Sequence, residues 1–251
     1  MSHSQGKGRF GNQFIRNVAF SIIAEKHNLY TTYQNKEEVE KLGLLLYVGT
    51  NKYSKKSTLN DNNFISYLTK KAIDTNLYTD GYFQTHEISN EIFKYINQEK
   101  IMNQIINNNS YKERYKQNND CFIHIRLGDV SKYNPGFDYY DKILQKISSY
   151  DNIFIGTDTI DHSIIKNFLE RYPNVTIMKS SIIDTILFGS TCKHVILSYG
   201  TFSATIGYLS FYSYVFCIKR CEKYAWDWKS KAVCDLFEGK SNIMGDWVIC
   251  E

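Results

Sequence analysis

From residue 121 onward, short unbroken apolar runs alternate with amphipathic stretches. The apolar runs are "CFIHIRL", "NIFIGT", "VTIMK", "HVILSY" and "SYVFCIK". Between them lie "YYDKILQKISSY", "SIIKNFLERY", "IIDTILFGS" and "TFSATIGYLSF", whose apolar positions follow a helical period. Continuous apolar strands that alternate with helices predict a parallel sheet covered on both faces, a Rossmann-like half. Ligands of such sheets bind at the C-terminal ends of the strands, so the loops after each strand are where chemistry is expected.

The first half has a different pattern. From Asn12, apolar residues recur at Phe14, Ile15, Val18, Ala19, Ile22 and Ile23, one face of a helix. "NLYTTYQ" suits a short strand, "NKEEVEKLGLLL" a helix, and "LLLYVGTN" the strand that follows. Residues 51–63 read as a polar loop. Residues 88–108 carry a helical period, with Ser89 as N-cap. "NNSYKERYKQNND" reads as a linker and places a boundary near residue 115, giving domains 1–115 and 116–251.

The helix that starts near Asn12 follows "GKGRFGNQF", in which Gly6, Gly8 and Gly11 have the G-x-G-x-x-G spacing. A dinucleotide site needs a buried strand before the first glycine and an acidic residue about 20 positions later. Only the polar "MSHSQ" precedes Gly6, and "YTTYQN" holds no carboxylate. NAD is therefore set aside. What stays open is either an anion-binding turn at a helix N-terminus or a tight turn that needs positive φ.

Composition narrows the class. The chain has 251 residues, 43% hydrophobic and 22% charged, which describes a globular protein with a sizeable core. Its net charge of +4 makes no case for nucleic acid and suits an anionic small substrate. No run of 18 apolar residues exists, and the N-terminus lacks an apolar signal region, so a soluble, cytoplasmic protein without a membrane span is expected. Six cysteines (121, 192, 217, 221, 234, 250) show no C-x-x-C pair. Free buried thiols are expected in preference to a disulfide or zinc site.

Three strand ends carry candidate chemistry. His124 and Arg126 in "HIRLGD" project to the same side, and an arginine there can grip a phosphate with two parallel donors; Gly128 and Asp129 follow. A surface Arg–Asp pair is the plainer alternative. Asp158 in "IGTDT" either accepts from a nucleotide base or caps the next helix. In "LSYGTFSATIGYL", Gly200 gives a tight turn, and Thr201 and Ser203 open a helix as an anion cradle or as simple caps. Together these residues suit a nucleoside diphosphate. No D-x-D pair is present, so the usual manganese anchor of sugar-nucleotide enzymes is missing and no metal or cofactor is expected.

The motifs "GRFGNQF", "GYFQTHE", "FIHIRLGD", "FDYY" and "DTILFGSTCKHVILSYGTFSATIGYL" occur in an order that resembles the α-1,2-fucosyltransferases of glycosyltransferase family 11. The resemblance covers residue 8 to about residue 209. The protein O-fucosyltransferases share the first turn and the His-x-Arg strand but match less well at "GYFQ" and "LGD". The family implies an α/β, GT-B-type architecture of two Rossmann-like domains facing a cleft. It implies GDP-β-L-fucose as donor and a metal-independent, inverting transfer to a galactose-like hydroxyl of a glycan acceptor. Carried over by motif, Arg126 holds the diphosphate, and His124 and Asp158 lie near the guanosine. Gly200, Thr201, Phe202 and Ser203 close over the donor, Gly11 in the first turn belongs to the donor-binding set, and Asn12 beside it faces the reaction centre from the other domain.

Two departures stand out. The strand that precedes the first turn in the family is nearly missing here, and the aromatic pair that often follows T-F-S is Ala204 and Thr205. The missing strand motivates a rival reading, a binder of nucleotide sugars or glycans without turnover, and the two departures leave a transferase using another nucleotide sugar as a further alternative. No single general base emerges: Asp129, Asp80, His86 and Glu87 are all candidates.

Overall fold

The computed structural model describes residues 1–128, 131–218 and 235–250, and it divides into two compact units, Met1–Asn108 and Asn109–Glu251. Each unit is an α/β layer structure built on its own parallel sheet.

Unit 1 runs β1 (Ser2–Ser4), α1 (Phe10–His27), β2 (Thr31–Tyr33), α2 (Lys36–Glu40), β3 (Lys55–Leu59), α3 (Phe64–Thr69), β4 (Thr75–Thr79), α4 (His86–Ile96) and α5 (Glu99–Asn108). Its sheet order is β2-β1-β4-β3, and every pairing is parallel. The strand expected to be missing before the first turn is therefore present, and it lies inside the sheet. Its polar sequence hid it. Ser2 and Ser4 are fully buried, and each hydroxyl is paired: Ser2 Oγ accepts from Leu77 N at 2.9 Å, and Ser4 Oγ donates to Asn17 Oδ1 at 2.7 Å. A small side chain with a satisfied hydroxyl can fill a crowded interior position at little cost.

The predicted apolar face of α1 is the core of unit 1: Phe14, Ile15, Val18, Ala19 and Ile23 are fully buried. Three other expectations change. The polar loop 51–63 contains β3, an edge strand that buries only Leu59 and so shows no alternation. "LLLYVGTN" is not a strand; Leu44 and Leu46 are buried, and Tyr47 N donates to Ser21 Oγ of α1 at 2.8 Å. Residues 88–108 form two helices that part at Asn97 and Gln98. The first is capped by Thr85, whose hydroxyl accepts from Ile88 N at 3.4 Å, rather than by Ser89.

Unit 2 runs β5 (Cys121–Ile125), α6 (Phe137–Lys146), β6 (Ile153–Thr157), α7 (Ser163–Arg171), β7 (Val175–Ile177), α8 (Ile182–Gly189), β8 (His194–Ile196), α9 (Thr201–Tyr208), β9 (Tyr214–Ile218), β10 (Ser241–Asn242), β11 (Gly245–Asp246) and β12 (Val248–Cys250). The five predicted strands and four predicted helices all form. The main sheet has the order β7-β6-β5-β8-β9-β12, parallel throughout. Numbered along the unit, that is 3-2-1-4-5-6, the doubly wound order of mononucleotide-binding sheets. One face packs Ile123, Ile125, Tyr140, Ile155 and Phe168 into a buried cluster. On the other face the Phe122 ring fills the space beside Gly156 and Gly189, where a Cβ on either glycine would approach it to within 3 Å.

Cys121, Cys192, Cys217 and Cys250 are free and buried, while Cys221 and Cys234 lie outside the described residues. Burial pushes the Cys192 thiol up to about 12, which keeps it protonated and inert. Among the described residues, no helix is long and apolar enough to cross a membrane.

Candidate functional site

The strand order of unit 2 reverses between β5 and β8. Their connections leave on opposite sides, which opens a crevice beyond the C-terminal ends of these two strands. The His124–Gly128 segment leaves β5 there, and the Ser198–Ser203 segment leaves β8. Hydrogen bonds tie the two together. Arg126 N donates to Ser198 Oγ at 3.3 Å, and the buried His124 Nδ1 lies 2.6 Å from Ser203 Oγ and 3.4 Å from Ser198 Oγ. The His124 ring also packs on Phe202, with centroids 4.8 Å apart.

His124 is neutral. Burial, and secondarily the neighbouring Arg126 charge, push its pKa down to about 3. It therefore serves as a fixed hydrogen-bonding post, not as a cation. Of the predicted Gly-Thr-Phe-Ser turn, Phe202 and Ser203 hold His124. Gly200 is the N-cap of α9 at φ +106°, a conformation that favours glycine, and makes no side-chain cap. A Cβ at Gly200 would lie 3.7 Å from Arg126 Nη1, so the guanidinium runs beside the first turn of α9. The backbone N–H groups of a first helical turn and a planar guanidinium converge here, which is the donor set for an anion such as a phosphate.

Asp158 occupies the loop after β6. Its Oδ1 accepts from Leu127 N at 2.8 Å and from Gly128 N at 3.1 Å. A Cβ on Gly128 would stand 2.7 Å from Oδ2, so the glycine is what lets the carboxylate come this close. Asp158 thus clamps the loop that follows Arg126. Asn134 supports the same loop by donating to Arg126 O at 3.1 Å. Asp129 lies outside the described residues. Ser198 and Asn134 escaped the sequence reading, because single small polar residues in loops carry no spacing signal.

Unit 1 has its own reversal, between β1 and β4. The glycine turn leaves β1 and "GYFQ" leaves β4. Gly8 has φ +76°, and a Cβ there would collide with the Asn12 amide. Asn12 Oδ1 accepts from Gln84 Nε2 at 2.9 Å, so the two motifs meet. Gly11 lies buried in the first turn of α1. Asp61 accepts from Tyr82 N at 2.9 Å and from Gln84 N at 3.3 Å, a loop clamp like Asp158. Phe83 is fully buried with φ +56°, an unfavourable backbone for a bulky residue, and it is held by these bonds.

Arg16, 1% exposed, lies beneath this edge. Its Nε donates to Gln5 O at 3.1 Å and its Nη2 to Thr79 Oγ1 at 3.0 Å, which links the ends of β1 and β4. Burial lowers its pKa, and the fields of Asp61 and Asp80 oppose that. A single arginine within a helix carries no spacing signal for this role. Of the general-base candidates in this unit, Asp80 pairs with Lys7 at 3.7 Å, His86 Nε2 lies 3.0 Å from Asn90 Nδ2, and Glu87 is exposed.

With β1 present, the glycine turn has the strand–turn–helix context of a dinucleotide site, yet two features oppose that use. The residue after β2 is Gln34 rather than an acid, and its carboxamide covers Gly6, with Gly6 N donating to Gln34 Oε1 at 2.5 Å. The backbone face that a pyrophosphate would need is occupied.

No family model matches the chain, and no curated protein matches it in sequence. Among solved structures it is similar to a mutant of Arabidopsis thaliana FUT1 in complex with GDP, with a TM-score of 0.47 and 11% identity over 84% of this chain and 68% of the other.

Proposed function

We propose that the protein is a metal-independent, inverting glycosyltransferase that takes L-fucose from GDP-β-L-fucose and transfers it to a hydroxyl of a glycan acceptor. The observation that carries this reading is Arg126 beside the first turn of α9, at the strand reversal of a 3-2-1-4-5-6 sheet. The ordered motifs shared with α-1,2-fucosyltransferases select the sugar nucleotide. Inversion requires the acceptor hydroxyl to attack opposite the leaving GDP, through an oxocarbenium-like transition state. Negative charge then grows on the β-phosphate oxygen. Arg126 and the α9 amides stabilise it without metal, while His124, Asp158 and Asn134 keep the Arg126 loop in place. The non-catalytic reading rested on a missing first strand, and β1 removes that ground.

The test is GDP calorimetry in excess EDTA, followed by GDP release from GDP-β-L-fucose with an oligosaccharide acceptor. Binding should survive chelation. Arg126→Lys should lower transfer by about 10²–10³-fold, because a single flexible ammonium cannot replace a two-donor fork on a developing charge. Transfer within a few-fold of the parent would remove Arg126 from its role, and loss of GDP affinity on chelation would end the metal-free reading.

A further inference from the structure

A chain of contacts in unit 1 runs from the end of β3 to the glycine turn. In the parallel pairing of β3 with β4, Leu59 lies opposite Thr79. Two residues beyond each strand, Asp61 therefore meets Gly81. A Cβ on Gly81 would collide with Asp61 Oδ2, so the glycine is what lets the carboxylate approach. The turn that carries Asp61 is itself braced. Asn60 N donates to Asn63 Oδ1 at 2.9 Å, and Asn63 Nδ2 donates to Thr58 O at 2.9 Å.

The two oxygens of Asp61 serve different groups. Oδ2 accepts from Tyr82 N and Oδ1 from Gln84 N. These bonds bracket Phe83 and hold its positive φ. Gln84 Nε2 in turn donates to Asn12 Oδ1 at 2.9 Å. That bond sets the direction of the Asn12 amide, with its oxygen toward Gln84 and its Nδ2 against Gly8.

We propose that Asp61 and Gln84 are positioning residues, which hold the Asn12 amide in the orientation that turnover needs. This role rests on the proposed transfer reaction, in which Asn12 contributes to turnover. A side chain at a reacting centre is effective when its orientation is fixed before the substrate arrives. Gln84 fixes Asn12, and Asp61 fixes Gln84. The geometry also separates Asp61 from Asp158. One Asp158 oxygen takes two backbone N–H groups, so an amide can replace it. Asp61 uses both oxygens, so an amide would set its own NH₂ group against a backbone N–H.

The test compares transfer kinetics and GDP calorimetry for Asp61→Asn, Gln84→Ala, Asn12→Ala and the two double variants that contain Asn12→Ala. Asp61→Asn and Gln84→Ala should each lower kcat by about tenfold, the effect of one lost hydrogen bond, and by no more than Asn12→Ala does. GDP affinity should stay within a few-fold. With Asn12→Ala already present, neither change should cost much more, because nothing is left to position. Gln84→Ala keeps both Asp61 bonds to the backbone, so it decides the matter if Asp61→Asn does not fold. Losses that multiply in the double variants, an unchanged kcat, or an equal loss of GDP affinity overturns the proposal. A second readout does not use transfer. In protein labelled with ¹⁵N-asparagine, the Asn12 side-chain amide resonance, identified by its loss in Asn12→Ala, should shift in Gln84→Ala and in Asp61→Asn. An unmoved resonance ends the positioning role whatever the parent transfers. A parent that transfers no fucose ends the transfer reading, and the role in turnover with it.

Discussion

Asp158 and His124 were both expected beside a guanosine, and their contacts give each a more specific part. The Asp158 carboxylate accepts from two backbone N–H groups and offers nothing that an amide oxygen could not. Asp158→Asn should therefore hold GDP affinity within a few-fold, whereas Asp158→Ala frees the loop and should weaken GDP by about tenfold or more. Equal losses in calorimetry of the two variants would point to a direct contact between the carboxylate and the base. For His124, the folded pKa of about 3 lies below the ordinary value of 6.5. The unfolded chain binds the proton more readily, so the stability contribution is complete above pH 6.5 and is lost as pH falls toward 3. At about 1.4 kcal/mol per unit, the loss is on the order of a few kcal/mol. Urea melts from pH 7 to 4 should fall less steeply for His124→Asn than for the parent. Parallel slopes would mean that His124 titrates normally.

At the scale of the element, β1 is the instructive case. A buried strand usually declares itself by β-branched and aromatic residues, yet here the strand reads Ser-His-Ser. Its position comes from pairing with β2 and β4 on both sides and from the Ser4–Asn17 bond, and Asn17 passes the constraint on by donating to Gln34 O at 2.9 Å. Ser4→Ala leaves a buried amide oxygen unpaired, at a cost of about 1–3 kcal/mol. For a chain of this length that should lower Tm by about 2–4 °C for each kcal/mol. An unchanged melting curve would show that Asn17 finds another donor. The same spread of contacts explains the misread β3. An edge strand with one buried residue has no period to detect.

For the molecule as a whole, each unit places one set of motifs at one strand reversal. The proposed function puts donor affinity in unit 2 and a contribution to turnover in unit 1. Asn12→Ala should then leave the GDP affinity near that of the parent while lowering transfer by about tenfold or more. Equal losses in calorimetry and in transfer would put the glycine turn on the nucleotide instead.

Much of unit 2 was legible from residue order alone. Its strands are buried on both faces, so each is a continuous apolar run, and each helix shows one apolar stripe. The placement of His124, Arg126 and the Gly-Thr-Phe-Ser turn at strand ends was legible for the same reason, because they sit where those runs end. The strand order was not legible, since pairing joins segments such as Cys121 and His194 that lie far apart in the chain. Nor were the roles of Ser198, Asn134, Asp61 and Arg16, whose partners are remote loops and strand ends. Periodicity records which side of an element meets water. Which distant backbone group a small polar side chain satisfies is decided only when the sheet assembles, because burial then makes every unpaired donor costly.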